Sequence, residues 1–107
     1  MEATTELMTR PGCAELLKAL GDETRLLVVK HLLEESLHVG ELKKKIGIEQ
    51  SLLSHHLRLL RDAGIVESER DGKAVLYRLA TRVEEYRNGR TLDLGCCELT
   101  FPSSTCC

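Results

Sequence analysis

The sequence predicts a mainly α-helical domain that carries a β-hairpin wing, in other words a winged helix-turn-helix. Three observations support this fold class. Apolar residues recur at helical spacing between residues 13 and 63, and the segment 47–61 (GIEQSLLSHHLRLLR) divides into one apolar and one polar face. Beyond it, two runs rich in β-branched and apolar residues flank the dipeptide Asp71-Gly72, which is a strong hairpin signal.

Two helices open the predicted domain. Residues 13–20 (CAELLKAL) are amphipathic, and Gly21 followed by Asp22 is typical of a helix end and of the N-cap of a second helix over residues 23–35. We expect this second helix to bury a wide apolar stripe, which comprises Leu26, Leu27, Val29, Leu32 and Leu33.

The helix-turn-helix follows. Residues 39–46 are predicted to form a short helix, residues 47–49 a tight turn, and residues 50–63 a recognition helix that ends at Gly64. The apolar stripe of the recognition helix, which we expect to pack on the core, consists of Leu53, Leu57 and Leu60. The opposite stripe, called the reader face below, consists of Gln50, Ser51, Ser54, His55 and Arg58.

The reader face indicates DNA binding, because its small and bidentate polar side chains are of the kind that reach base edges and phosphates in a major groove. The wing is predicted from strands over residues 65–70 and 73–79, joined by a type I′ turn at Asp71-Gly72. Arg70 and Lys73 lie at the tip of this hairpin, and we expect them to contact DNA as well.

After the hairpin the pattern is less regular. Thr81 and Glu84 form a capping-box pattern, which predicts a short helix over residues 82–88. The tail from Thr91 onward alternates in strand fashion around Gly95. We therefore divide the chain into an N-terminal arm (1–12), a winged helix-turn-helix DNA-binding domain (13–80), and a short helix with a cysteine-containing tail (81–107) for dimerisation and sensing.

Composition narrows the class of partner. Only 3% of the residues are aromatic and Trp is absent, which disfavours stacking on unpaired bases, so we expect the partner to be double-stranded DNA. The net charge of −2 does not oppose this, because the distribution of charge decides nucleic-acid binding. No apolar run of signal-peptide or transmembrane length occurs, which predicts a cytoplasmic protein without a membrane partner. No catalytic triad, P-loop or acid–base carboxylate pair is evident in the sequence, so we expect that the protein is not an enzyme.

The order of elements and several strings within residues 13–79 resemble the ArsR/SmtB family of bacterial metal-sensing repressors. The most specific strings are Ser54-His55-His56-Leu57, Leu60-Arg61-Asp62-Ala63-Gly64 and Tyr77-Arg78-Leu79. The resemblance implies a homodimer that binds a palindromic operator when free of its inducer and leaves the operator when the inducer binds.

Three features depart from the family pattern. The family's Cys-Val-Cys arrangement, on the helix before the recognition helix, corresponds here to His38 and Gly40, so that thiolate site is absent. The family's zinc-type site lies on a long last helix, whereas residues 82–88 are few and contain no histidine. The recognition helix opens with Glu49 where the family usually has Ser, so a carboxylate stands near an expected DNA phosphate and lowers the expected affinity.

The five cysteines are the remaining candidate chemistry. In a reducing compartment we predict free thiols, ligands or sensors rather than a disulfide framework. Adjacent cysteines do not readily bond to each other, because neighbouring Cα atoms are about 3.8 Å apart and disulfides need at least ~4.4 Å. Two nearby thiolates suit a thiophilic ion. We predict an inducer site for trivalent arsenic or antimony, with Cd(II), Pb(II) or Zn(II) as alternatives and no permanent cofactor, at Cys96, Cys97, Cys106 and Cys107.

Other interpretations stay open at this point. Cys13 is a weaker ligand candidate, expected to be a small buried hydrophobe. Cys96 and Cys97 fit a redox or persulfide switch in the same repressor, in which case an oxidant releases the DNA. The chain also fits a winged-helix interaction module with a structural zinc site and no operator. His55 and His56 point about 100° apart on a helix and cannot easily share an ion, so we assign His55 to DNA.

Overall fold

The computed structural model describes residues 12–84 and 91–101 of the chain. Within these residues the elements in chain order are α1 (Cys13–Leu20), α2 (Glu23–Glu34), β1 (Leu37–His38), α3 (Val39–Ile46), α4 (Gln50–Asp62), β2 (Val66–Asp71), β3 (Ala74–Leu79), α5 (Thr81–Glu84), β4 (Thr91–Asp93) and β5 (Glu98–Thr100). The predicted winged helix-turn-helix is confirmed, with α4 as the recognition helix and the β2–β3 hairpin as the wing.

Helix α2 begins at the predicted N-cap. Asp22 Oδ2 accepts hydrogen bonds from the backbone N–H groups of Thr24 (2.8 Å) and Arg25 (3.1 Å), which satisfies two donors that the first helical turn leaves open. The stripe that α2 buries comprises Val28, Val29, Leu32 and Leu33. Because Leu26 and Leu27 are only half-buried, the buried face is rotated towards Val28, which the predicted stripe had omitted.

A short strand that the sequence pattern did not reveal completes the wing sheet. The three strands are antiparallel in the order β1-β3-β2. β1 pairs Leu37 with Tyr77 and His38 with Leu76, immediately before α3 begins. The wing is therefore attached to the start of the helix-turn-helix as well as to the end of α4.

The turn at the tip of the wing differs from the predicted one. Asp71 pairs with Ala74, so the two-residue loop consists of Gly72 and Lys73 rather than Asp71 and Gly72. Gly72 has a φ of +67°, and among the described residues only glycines have positive φ. A positive φ at the first loop position alone is the pattern of a type II′ turn, whereas the expected type I′ turn requires it at both positions.

One apolar core joins the helices, the wing and the C-terminal hairpin. The apolar stripe of α4 lies at its centre, since Leu53, Leu57 and Leu60 are each 0% exposed, as predicted. The leucines of α1, Leu16 and Leu20, join the same core. Full burial of this stripe fixes which face of α4 points outward.

The described part of the C-terminal region forms a second hairpin. β4 and β5 pair antiparallel, which confirms the predicted alternation around Gly95. Helix α5 begins at Thr81, whose backbone N–H donates to Glu67 Oε2 at 3.2 Å, and residues 85–88 of the predicted helix lie outside the described residues. Across residues 12–84 and 91–101, no helix is both long and apolar enough to span a lipid bilayer.

Candidate functional site

The recognition helix presents the whole reader face to solvent. All five of its predicted residues are exposed, as are the two predicted wing residues. No hydrogen bond or ion pair to another described residue engages the side chains of Gln50, Ser54, His55, Arg58, Arg70 and Lys73. These side chains are therefore available to an external partner.

The N-terminus of the recognition helix differs from an ordinary capped helix. Glu49 occupies the N-cap position, but no side chain caps the helix there. Instead the Ser51 hydroxyl donates to Glu49 Oε1, so Ser51 is engaged within the chain. The unpaired backbone N–H groups at a helix N-terminus attract anions, and a nearby carboxylate competes with a phosphate for that position.

Basic residues border the reader face. Lys43, Lys44 and Lys45 are exposed on the last turn of α3, next to the turn that leads into the recognition helix. Arg58 and the two wing residues are also exposed and basic, so these elements carry positive charge that the net charge of −2 does not show. Such a distribution favours contact with phosphates.

The adjacent residues His55 and His56 have opposite environments. His55 is exposed on the reader face, whereas His56 is only 9% exposed and faces α2. Arg25 Nη1 donates to His56 Nδ1 at 3.0 Å, and Arg25 Nε donates to the carbonyl oxygen of Ala19 at 2.5 Å. A single guanidinium thus connects the end of α1, the start of α2 and the recognition helix.

The pKa values of His56 and of the neighbouring Asp22 are both lowered. Burial lowers the pKa of His56, and the positive charges of Arg25 and His55 lower it further, while Asp22, 3.8 Å from Nδ1, opposes them. Burial would raise the pKa of Asp22, but backbone hydrogen bonds and the charges of His56 and Arg25 outweigh it, so that pKa is lowered. Sequence reasoning considered His56 only as a poor metal-ligand partner of His55, although its spacing of three from Leu53 and four from Leu60 places it on the buried stripe.

The wing is fastened to the helix-turn-helix by a polar contact. His38, at the N-terminus of α3, lies 2.8 Å from Asp71 Oδ2 at the end of β2 and 2.9 Å from Glu41 Oε1. Hydrogen bonds to these two carboxylates raise the pKa of His38. Arg78 on β3 also pairs with Glu69 on β2 at 2.7 Å. These contacts orient the hairpin that carries Arg70.

Three cysteines converge where the start of α1 meets the β4–β5 loop. Cys96 and Cys97 lie in the β4–β5 loop, where Gly95 has a φ of +91° and donates its N–H to Asp93 Oδ1 at 2.8 Å. Cys13 begins α1. The three sulfur atoms lie within 4.8 Å of one another, and we call this group the thiol cluster.

The thiol cluster contains a disulfide. Cys13 is bonded to Cys96, with Cα atoms 5.9 Å apart, while Cys97 is a free, half-buried thiol. Cys97 Sγ lies 3.7 Å from the sulfur of Cys13 and 3.9 Å from that of Cys96. The expectation that Cys13 is merely a small buried hydrophobe is therefore wrong, as is the expectation of free thiols at Cys13 and Cys96. Cys106 and Cys107 lie outside the described residues.

Comparison with known proteins agrees with this architecture. A model of the arsR family of bacterial regulatory proteins matches residues 22–68. The biofilm growth-associated repressor of Xylella fastidiosa is 48% identical over 66 residues, which is 62% of this chain; the chain spans 58% of the length of that relative.

Two solved structures extend the similarity to the fold. HlyU from Vibrio cholerae superposes with a TM-score of 0.63 at 40% identity, over 67% of this chain and 79% of HlyU. A homodimeric winged helix-turn-helix DNA-binding domain from Mycobacterium bovis superposes with a TM-score of 0.69 at 25% identity, over 78% of this chain and 76% of that one.

Proposed function

Because this chain belongs to the arsR family of bacterial regulatory proteins, we propose that it is a sequence-specific transcriptional repressor that binds double-stranded operator DNA as a homodimer. The observation that carries the proposal is the exposed reader face on a helix whose opposite face is fully buried. The Xylella relative is named as a repressor and the Mycobacterium domain is homodimeric, and both similarities support the proposal.

The exposed reader face supports the following mode of DNA binding. The reader face enters the major groove, where Ser54, His55 and Gln50 contact base edges and Arg58 contacts a phosphate. Arg70 and Lys73 on the wing contact the neighbouring backbone. A homodimer places two recognition helices on half-sites one helical turn, about 34 Å, apart.

We further propose that a thiophilic inducer controls this binding at the thiol cluster. Trivalent arsenic or antimony binds three sulfur ligands, and reduction of the Cys13–Cys96 bond provides three thiols within 4.8 Å of one another. Cys13 supplies the third sulfur beside Cys96 and Cys97, and Cys106 or Cys107 remain candidates for a further ligand. Cd(II), Pb(II) and Zn(II) are alternative inducers, since they also accept thiolates.

Contacts through α1 support a coupling between the thiol cluster and the recognition helix. The thiol cluster joins the start of α1 to the β4–β5 hairpin. At the end of α1, the carbonyl oxygen of Ala19 accepts a hydrogen bond from Arg25, which also donates to His56 on the recognition helix. An inducer that binds better to the conformation with misplaced reader faces shifts the dimer to that conformation and releases DNA.

A second candidate function has an observation of its own. The Cys13–Cys96 disulfide favours an oxidant-responsive repressor, because oxidation cross-links the same two segments that an ion would bridge. Exposed Cys96 and half-buried Cys97 are accessible enough for oxidation or persulfidation. In this alternative, peroxide rather than a metal ion releases the operator.

The proposal is tested with a duplex selected from a random-sequence pool by the full-length protein. Fluorescence anisotropy of the complex is followed while arsenite, antimonite, Cd(II), Pb(II), Zn(II) and peroxide are added separately to reduced protein. We expect a preferred duplex and its release by arsenite or antimonite. Release by peroxide alone would favour the second candidate, and the absence of any sequence preference would refute the repressor and favour an interaction module.

A further inference from the structure

We propose that the thiol cluster is a redox-gated metalloid site: the Cys13 disulfide and bound trivalent arsenic are mutually exclusive states of the same three sulfurs. This inference rests on the proposed role of the cluster as the inducer site. It goes beyond that role, because it makes the oxidation state of Cys13 decide whether the inducer can bind at all.

The exclusion follows from the number of sulfurs. The cluster has three, contributed by only two segments of the chain, the start of α1 and the β4–β5 loop. The disulfide consumes the sulfurs of Cys13 and Cys96, so Cys97 is the single free thiol in the described part of the chain. One thiolate cannot form the pyramidal three-sulfur site that trivalent arsenic prefers.

The two states differ by a balanced reaction. A peroxide oxidises the thiols of Cys13 and Cys96 to the disulfide, and its two oxygen atoms leave as water after they accept two electrons and two protons from the thiols. Arsenous acid instead reacts with the three thiols, forms three As–S bonds and releases three water molecules without any change of oxidation state. Each reaction removes thiols that the other requires.

Every disulfide that the thiol cluster can form requires Cys13. In thiol–disulfide exchange, the thiolate of Cys97, 3.7 Å from Cys13 Sγ, attacks that sulfur, forms a Cys13–Cys97 bond and expels Cys96 as a thiolate. Attack on Cys96 would join adjacent residues, whose Cα atoms are only about 3.8 Å apart, below the usual range for disulfides. Both accessible disulfides therefore contain Cys13.

The experiment uses the full chain with Cys106→Ser and Cys107→Ser, so that all remaining cysteines belong to the cluster. Protein treated with peroxide and then freed of it is analysed by intact mass and thiol titration, and arsenite uptake is then measured by native mass spectrometry. We expect an intact mass lower by two hydrogen atoms, one remaining thiol and no arsenic bound. The fully reduced protein should bind one arsenic with loss of three protons, and a phosphine reductant should restore uptake to oxidised protein.

Single substitutions in the same background test the role of Cys13. Cys96→Ser and Cys97→Ser should each still form a disulfide with peroxide, whereas Cys13→Ser should not. Equal arsenic uptake by oxidised and reduced protein, or an intramolecular disulfide in the Cys13→Ser variant, would overturn the inference. None of these readouts uses DNA, so redox-gated binding without operator release would refute the proposed induction and leave this inference intact.

Discussion

Replacing the two adjacent histidines of the recognition helix, one at a time, should separate DNA contact from helix positioning. His55→Ala removes an exposed side chain of the reader face, and His56→Ala removes a buried ring that accepts a hydrogen bond from Arg25. The two residues are neighbours in sequence and identical in chemistry. A difference between the variants therefore reports environment alone.

The expected magnitudes follow from those environments. If His55 makes one good base-edge contact, its loss weakens operator binding by roughly 1–3 kcal/mol, or about 5- to 150-fold, and exposed substitutions usually change stability by less than ~0.5 kcal/mol. Loss of the His56 bond to a charged guanidinium costs about 1.5–3 kcal/mol. The cavity left by a ring that is 9% exposed adds to this, so we expect roughly 2–4 kcal/mol of lost stability.

Urea denaturation and anisotropy with the selected duplex measure the two effects. His56→Asn is the matched control, because its amide oxygen can accept from Arg25 in place of Nδ1 and should recover part of the lost stability. Normal DNA affinity in His55→Ala would remove that residue from the interface. An unchanged urea midpoint in His56→Ala would show that the Arg25 contact does not position the helix.

Three further predictions concern the wing, the N-cap of α2 and self-association. Arg70→Ala and Lys73→Ala should weaken specific and random duplexes alike and lower the slope of log affinity against log salt by about 0.9 each, whereas a loss confined to the selected duplex would indicate base readout. Asp22→Ala should cost about 0.5–2 kcal/mol in urea denaturation. Because the folded-state pKa of Asp22 is lowered, its contribution is complete above the ordinary carboxyl pKa and is lost as pH falls through the lowered value; a cost unchanged in acid would contradict this. Deleting residues 90–107 should weaken the monomer–dimer equilibrium in sedimentation, because we expect α1 and the β4–β5 hairpin to carry the dimer contact, and an unaltered constant would refute it.

Local signals were sufficient to predict helices α1 to α4. Asp22, Gly47 and Gly64 mark helix ends through caps that act within a few residues, and the apolar spacing of the recognition helix fixed its buried and exposed faces. The strand β1 could not be predicted in this way. It has two residues, and its existence depends on pairing with β3, which is distant in sequence.

The candidate sites likewise differ in whether local sequence signals could predict them. The exposure of the reader face follows from helical periodicity, and the same periodicity would have placed His56 on the buried face. The convergence of Cys13 with Cys96 could not be predicted, because 83 residues separate them and only the tertiary fold brings them together. The sequence predicted a thiol site at Cys96 and Cys97 but ranked Cys13 below Cys106 and Cys107 as its third member.

Release of the operator by arsenite tests the central claim most directly. Anisotropy of the selected duplex is followed during arsenite titration of reduced wild-type protein and of the Cys96→Ser, Cys97→Ser double variant. The account predicts equal DNA affinity for both proteins before arsenite, and release of the wild type alone. Release of the double variant at the wild-type arsenite concentration would show that the inducer acts elsewhere and would contradict the account.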